Sequence, residues 1–254
     1  MKKFYFILFL LITSAFLAGF FWHGQTQKLR EVEFDIESLS YGGDNDNYKI
    51  ESKYPVLKNG ISKKATDKIN AEVKKFVSDS VIETKDEFDA FVHDIDVTGS
   101  SAKPQFLNEF TIKSDFNKLP FINIIFETYY YAGGAHGITV VLPLVFDVQT
   151  GNKLLLHDVF IGEYLKLLSN LSLEILKEKD PENNLYSFAD EGTLPEADNF
   201  KFFALEEDGV HIFFQDYQVG PYVIGHPEIV IPYEKLNGVL RPEFKDLIND
   251  LNKK

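Results

Sequence analysis

Residues 129–140 read YYYAGGAHGITV, and the way this stretch turns decides the fold. Aromatic residues typical of a strand run into glycines and a histidine, and a β-branched segment follows. The stretch lacks the G-x-G-x-x-G spacing of a dinucleotide site and the lysine of a P-loop, and a strand rather than a helix follows it. Because glycine permits positive φ, we predict that Gly133, Gly134 and Gly137 form a structural corner between two strands. His136 is then expected to hydrogen-bond loop carbonyls or to stack on a tyrosine.

Three strands are predicted around this corner. NEFTIKSDF (108–116) alternates between apolar and polar residues, as a half-buried strand does. FINIIFETYYY (121–131) is more apolar and should pair with it in antiparallel fashion. TVVLPLVFD (139–147) follows the corner as a third strand, and Pro143 favours an edge or bulged position for it.

Apolar residues at helical spacing predict the helices. The segment 59–83 has an apolar stripe opposite its lysines, and Ser62 is its expected N-cap. A second helix is predicted within 161–179, and short helices within 234–240 and 242–253.

The C-terminal half carries a further hairpin. NFKFFALEEDGVHIFFQDY (199–217) contains Asp208-Gly209, a dipeptide favoured in tight hairpin turns. EIVIPY (228–233) is predicted as a last strand, and an early one is expected near 48–52. The acidic segment 180–199 is predicted to be a mobile loop. Because tight turns join most strands, the fold class is α+β with antiparallel sheets and packed helices.

A second glycine-rich corner, QVGPYVIGHPE, spans 218–228 and contains Gly220, Pro221 and Gly225. Tyrosines cluster beside both corners, where rings are often half exposed. Such rings suit the recognition of proteins or glycans. The candidate binding residues are Tyr130, Tyr131, His136, Tyr217, Tyr222 and His226.

Motifs for catalysis are missing from the sequence. There is no cysteine, no G-x-S-x-G nucleophile elbow and no H-x-x-x-H pair. We therefore predict no catalytic residue, no metal site and no cofactor. One alternative stays open: if the two corners meet, His136, His226 and the dipeptide His157-Asp158 can converge on a metal ion.

The N-terminus has the pattern of a membrane segment. Phe4 to Trp22 contains no charged residue, and Lys2 and Lys3 precede it. We predict that residues 1–24 form an uncleaved single-pass anchor with the following chain outside the cytoplasm. The alternative is a cleaved signal peptide and a secreted or periplasmic protein. Residues 25–45 are polar and are predicted to be a spacer.

The charge of the chain indicates which kinds of partner it can attract. The 254 residues carry a formal net charge of −13, and without Lys2 and Lys3 the charge is −15. Such a surface repels nucleic acid and attracts cationic partners.

Three stretches together resemble a two-module region of bacterial cell-envelope proteins: YYYAGGAHG (129–137), FDVQTGNKLLLHDVF (146–160) and EDGVHIFFQDYQVGPYVIGHPEIVIPYEKL (207–236). The region occurs in PdaC-type peptidoglycan deacetylases and in the extracellular part of RsiV-type anti-sigma factors, which bind lysozyme. The resemblance implies a first α+β module at 46–141 and a second at 142–254.

The sequence also departs from both families. The metal-binding motifs of the deacetylase domain are absent, and only Met1 to Lys3 precede the apolar segment. We therefore expect a membrane-anchored, non-enzymatic binding module of the cell envelope. Its expected partner is a basic protein such as lysozyme, or peptidoglycan. The alternative function is a metal-dependent peptidoglycan-modifying enzyme or accessory domain.

Overall fold

A computed structural model describes residues 32–42, 47–60, 62–94, 103–113, 120–182 and 184–251. The predicted membrane segment at 1–24 lies outside these ranges. Within them, no helix has both the length and the apolar character needed to cross a membrane. The described residues belong to one compact unit with a five-stranded and a three-stranded sheet, so the α+β class is confirmed.

The larger sheet contains five strands in sequence order. They are β1 (Phe34–Tyr41), β2 (Lys49–Leu57), β3 (Gln105–Lys113), β4 (Phe121–Tyr131) and β5 (Ile138–Asp147). β3, β4 and β5 pair in antiparallel fashion, as predicted. β2 and β3 pair in parallel, which corrects the expectation of wholly antiparallel sheets. Helix α1 (Lys63–Asp94) lies between them in sequence and provides the long connection that a parallel pair needs.

Helix α1 covers one face of this sheet. Its buried positions recur at helical spacing and include Ile69, Val73, Val77 and Phe88. At its start, the Ser62 hydroxyl accepts a hydrogen bond from the Ala65 N–H at 3.2 Å, which agrees with the predicted cap. The helix runs beyond the predicted segment because buried apolar residues continue to Phe88.

Strand β1 lies inside the segment 25–45 that was predicted to be a spacer. Most of its side chains are exposed, and it pairs along its whole length with β2. Backbone pairing rather than an apolar face therefore places this strand, which explains why the hydrophobic pattern did not indicate it.

The smaller sheet contains β6 (Phe203–Leu205), β7 (Val210–Phe213) and β8 (Glu228–Ile231). The predicted hairpin is present as the antiparallel pair β6–β7. The Glu206 N–H donates to the Gly209 carbonyl at 3.0 Å, so Glu207 and Asp208 form its tip. The tip therefore lies one residue earlier than the predicted Asp208-Gly209 turn.

Six further helices pack around the smaller sheet. They are α2 (Leu156–Val159), α3 (Tyr164–Lys179), α4 (Ala189–Gly192), α5 (Ala197–Phe200), α6 (Tyr233–Leu236) and α7 (Pro242–Leu251). Leu168, Phe200, Phe214 and Leu236 are fully buried in the core that these elements share. The segment 180–199 was predicted to be a mobile loop, but it contains α4 and the start of α5.

Two side-chain amides join the sheets. Asn123 on β4 is 2% exposed, and its amide donates to Leu205 O at 2.9 Å and accepts from Leu205 N–H at 3.0 Å. Gln215, after β7, makes the same pair of contacts with Val141 on β5, each at 3.0 Å. Strand β5 crosses the predicted module boundary at 141/142, so this boundary lies within a continuous strand.

We predict that Asn123→Ala lowers the free energy of unfolding by about 2–4 kcal/mol, since buried backbone groups at Leu205 lose their partners. Urea denaturation measures this change. The control is Asn237→Ala, an exposed position with one weak bond at 3.4 Å to Glu234 O, which should change stability little. Equal effects of the two substitutions would contradict the bridging role of Asn123.

A second prediction concerns the segment after α3. Asp180 accepts hydrogen bonds from the N–H groups of Tyr186 at 3.0 Å and Leu185 at 2.6 Å. The bond from Tyr186, with help from Leu185 and against the effect of burial, holds the pKa of the Asp180 carboxyl below its ordinary value of 3.8. A lowered pKa stabilises the fold above the unfolded-state pKa, and this contribution is lost as the pH falls through the folded-state pKa.

Asp180→Ala should therefore lower the melting temperature at neutral pH, and its difference from the unsubstituted chain should shrink as the pH falls below about 4. Thermal unfolding followed by circular dichroism across this pH range provides the measurement. Asp198→Ala, at an exposed ion pair with Lys201, is the matched control. A difference that stayed constant with pH would show that the Asp180 charge is not responsible.

Candidate functional site

The two glycine corners, whose proximity the sequence left open, are in contact. The His136 ring stacks on the Tyr222 ring with centroids 4.2 Å apart and planes inclined by 26°. The Tyr222 hydroxyl donates to the Gly137 carbonyl at 2.9 Å, and His136 Nδ1 lies 2.9 Å from the same oxygen. Both contacts expected for His136, with a loop carbonyl and with a tyrosine ring, are therefore present.

The second corner is held in place by glutamine side chains. The Gln215 N–H donates to Gln218 Oε1 at 3.1 Å, and the Gln218 amide donates to Gly192 O and Asn199 O, both at 3.0 Å. Tyr217, between the two glutamines, has φ +65° and is the one positive-φ residue other than glycine in the described chain. Such a conformation is unfavourable for a tyrosine and persists only where the surroundings enforce it.

The contact of the corners leaves several apolar groups facing solvent. Tyr217 is 51% exposed, with its ring 5.7 Å from that of Tyr222, and Val223 is 85% exposed. Ile138, next to Gly137, is also exposed. We call His136, Ile138, Tyr217, Tyr222 and Val223 the corner surface.

The remaining candidate residues are not part of the corner surface. Tyr130 packs on Phe88 of α1 with centroids 5.5 Å apart, and its hydroxyl donates to Glu87 at 3.1 Å. Burial and this carboxylate raise the pKa of the Tyr130 hydroxyl. Tyr131 donates to Gly134 O at 3.0 Å and so braces the first corner. His226 lies four residues after Tyr222, and its Nδ1 is buried without a hydrogen-bond partner among the described residues.

The glycines of the two corners serve different purposes. Gly134 has φ +104° and open space around it, so a glycine is needed at this position for its backbone conformation. A Cβ at Gly137 would lie 2.5 Å from the Tyr129 ring, so a glycine is needed at this position because the ring lies so close to the backbone. The others divide in the same way: Gly133 and Gly225 have positive φ, while Gly220, before Pro221, lies against Leu185 O.

A shallow concavity of about 270 Å³ lies on β3, β4 and β5. Glu109 and Glu127 face each other there in the register of β3 and β4. The rest of the lining consists of Leu107, Phe110, Thr111, Ile125, Tyr129 and Thr139. We call this the acidic groove. It leads to the corner surface, because the Tyr129 ring approaches Gly137 and the Thr139 N–H lies 3.4 Å from Asp216 Oδ2.

A cluster of titratable groups that the sequence did not indicate surrounds His211. Its Nε2 lies 2.8 Å from Asp208 Oδ1, its Nδ1 bonds to Glu228, and Glu206 Oε1 is 3.7 Å from Nδ1. Burial opposes a charge on His211, but the hydrogen bonds to Asp208 and Glu228 outweigh it and raise its pKa. The bond from His211 in turn lowers the pKa of Asp208.

This cluster differs from the metal site that the sequence left open as an alternative. Among the described residues, one group could hold a metal ion, namely Glu206, His211 and Glu228. It contains neither His136 nor His226, on which the sequence-based alternative depended. Sequence reasoning missed the cluster because its members come from three separate positions that only the strand pairing brings together.

Comparison with known proteins gives two family matches. Residues 42–139 match the family model "Deacetylase PdaC", and residues 157–234 match "Protein of unknown function (DUF3298)". The chain is 27% identical over 263 residues to the peptidoglycan-N-acetylmuramic acid deacetylase PdaC of Bacillus subtilis (strain 168). The match covers 99% of this chain and 53% of that protein, so the chain spans about half the length of this curated relative.

Solved structures show the same fold. A DUF3298 family member from Bacteroides fragilis NCTC 9343 aligns with a TM-score of 0.63 and 23% identity, covering 88% of this chain and 98% of that one. A DUF3298 family protein from Pseudomonas aeruginosa PAO1 aligns with a TM-score of 0.55 and 15% identity, with coverages of 83% and 95%. The predicted resemblance to PdaC is thus confirmed. The DUF3298 match is compatible with the RsiV resemblance, which stays a prediction.

We predict that Gly137→Ala destabilises the fold by about 1–3 kcal/mol, because its methyl group has to displace the Tyr129 ring. His136→Ala, which removes an exposed ring from a stack, should cost less than about 1 kcal/mol. Chemical denaturation of both variants measures the difference. A larger loss for His136→Ala would show that the histidine, rather than the close approach at Gly137, maintains the corner.

Proposed function

We propose that this chain is a cell-envelope binding module that recognises a cationic, lysozyme-like protein through the corner surface and the acidic groove. The observation that carries the proposal is a set of exposed, rigidly held aromatic and apolar side chains beside a groove that contains facing carboxylates.

The aromatic groups of the corner surface are suited to be binding anchors. Tyr222 is fixed by its stack with His136 and its bond to Gly137 O, so little side-chain freedom remains for a partner to remove. Tyr217 has its backbone held at positive φ and its ring 5.7 Å from that of Tyr222, while about half of the residue stays exposed. Rigid aromatic side chains of this kind often dominate the energy of protein interfaces.

The charge of the groove favours a cationic partner. Glu109 and Glu127 are opposite each other, a placement that is destabilising unless a positive charge lies near. Lys53 supplies one positive charge at 3.0 Å from Glu109, and both members of this pair are more than half exposed. The net charge of −13 adds long-range attraction for a basic protein.

The comparisons support a role at the cell wall. The curated relative is named as a peptidoglycan deacetylase, and this chain matches about half of its length. We infer a wall-related location for the chain, with the apolar segment Phe4 to Trp22 as its membrane anchor and the described residues outside the cytoplasm.

The geometry gives less support to the alternative of an enzyme with a metal held by His136 and His226. The His136 ring is engaged in the stack, and its Nδ1 contacts the Gly137 carbonyl. His226 Nδ1 is buried. A binding role uses the ring of His136 as the structure presents it, whereas the group of described residues that could hold a metal ion contains neither His136 nor His226.

The full-length protein should bind a basic lysozyme in a calorimetric titration at low salt, and the affinity should fall when salt is raised. Tyr217→Gly should weaken binding about tenfold or more, since it removes an exposed anchor. This substitution also relieves the positive-φ strain, so the folded state should be retained. A loss of affinity would then not arise from unfolding.

Tyr41→Ala is the matched control, because Tyr41 is an exposed tyrosine on β1, outside the corner surface. Equal affinities of Tyr217→Gly and Tyr41→Ala would refute the assignment of the surface. Absence of lysozyme binding at low salt, together with retention of the protein on insoluble peptidoglycan, would assign the surface to glycan instead.

A further inference from the structure

The group formed by Glu206, His211 and Glu228 is built by the smaller sheet. His211 lies on β7, and Glu228 begins β8, opposite Phe213. Glu206 follows β6, and its carbonyl accepts a hydrogen bond from the buried Tyr233 hydroxyl at 2.8 Å. One ligand atom of each of the three side chains lies within 4.8 Å of the others. Strand register and a buried tyrosine thus fix the backbone of every member.

The hydrogen bonds around His211 determine which ring nitrogen faces Glu206 and Glu228. An ionised Asp208 carboxylate can only accept, so the 2.8 Å contact makes Nε2 the donor. In the neutral imidazole, Nδ1 then presents a lone pair to Glu206 and Glu228, which are themselves acceptors. Either a proton or a metal ion can occupy the Nδ1 lone pair between these acceptors, and the two compete for it.

Buried atoms of the cluster lie next to charged groups. The His211 side chain is 8% exposed, and Glu206 Oε1 is buried, 3.7 Å from His211 Nδ1. The Lys113 ammonium forms ion pairs with Glu206 at 3.1 Å and Glu228 at 3.8 Å. Lys113 supplies one positive charge against the three carboxylates of Glu206, Asp208 and Glu228.

We propose that Glu206, His211 and Glu228 bind a divalent first-row transition-metal ion of the zinc class. A nitrogen and two oxygens are ligands that zinc accepts, and imidazole disfavours magnesium and calcium. In a tetrahedral zinc site with bonds of about 2.0–2.2 Å, adjacent ligand atoms lie about 3.4 Å apart. Small rotations of side chains already within 4.8 Å of one another reach this spacing.

The surroundings of His211 also match a metal ligand. Metal-bound histidines usually donate their second ring N–H to a carboxylate, which fixes the tautomer and strengthens the ligand. Asp208 takes this place. Glu228 is partly exposed, so solvent reaches the fourth coordination position. The site is independent of the corner surface residues and does not rest on the function proposed above.

The test uses the full-length protein, stripped with a chelator and titrated with zinc at about pH 8, where the ligands are deprotonated. We expect one zinc ion per chain by elemental analysis and saturable binding against a chromogenic competitor. Asp208→Asn keeps the size of the side chain, removes its charge and should weaken binding about tenfold. Glu228→Gln should weaken it at least as much.

Lys113→Met should strengthen zinc binding about threefold or more, because it removes a competing positive charge. His157→Gln, at an exposed histidine outside the cluster, should leave zinc binding unchanged. Circular dichroism confirms that each variant is folded. A structural role for the cluster alone would not produce this opposite response of Lys113→Met and Glu228→Gln.

Two results would overturn the proposal. One is zinc binding that Glu228→Gln and His157→Gln reduce equally, which would indicate an adventitious ion only. The other is an absence of zinc binding, with both His211 ring nitrogens protonated in nitrogen-15 NMR spectra at the same pH. In that case a proton and Lys113 alone would supply the positive charge.

Discussion

The architecture depends on the join between the two sheets. At this join, strands have no neighbouring strand with which their backbone groups could pair. Backbone groups of Leu205 on β6 and Val141 on β5 are left over by the pairing within their own sheets. An amide side chain carries one donor and one acceptor, as a peptide group does, and Asn123 and Gln215 use both. Each amide therefore replaces a missing strand neighbour and satisfies groups that would be costly to leave unpaired. The join brings the two glycine corners together, because Gln215 lies three residues before the start of the second corner.

Those parts of the fold that bury a regular apolar face could be predicted from the sequence. Strand β4 has the predicted bounds, and the apolar stripe of α3 lies where its spacing indicated. Strand β1 exposes most of its side chains, so its sequence carries no such pattern. The parallel pairing of β2 with β3 depends on where a long helix returns the chain, which local periodicity does not encode. In 180–199, polar contacts such as those of Asp180 and a few core contacts such as that of Ala189 order the chain without a regular apolar pattern.

For the candidate sites, the sequence indicated which residue types belong to a site more reliably than which residues they contact. Glycines and tyrosines marked both corners, and His136 makes the contacts that its neighbours suggested. Their mutual contact depends on the amide join, which no local pattern reveals. Tyr130 belongs to the same tyrosine run, but strand alternation turns it toward α1. The cluster at His211 needed three-dimensional information, since 17 residues separate His211 from Glu228.

Both proposed sites involve the loop that joins β7 and β8. This loop carries Tyr217 and Tyr222, and its base is closed by a hydrogen bond from Phe214 N–H to Pro227 O at 2.9 Å. His211 and Glu228 face each other from the two strands that the loop connects. An ion that binds both side chains would restrain the two strands against separation and so reduce the freedom of the loop. Any such effect on a partner at the corner surface must be reciprocal, because two ligands coupled through one element change each other's affinity by the same factor.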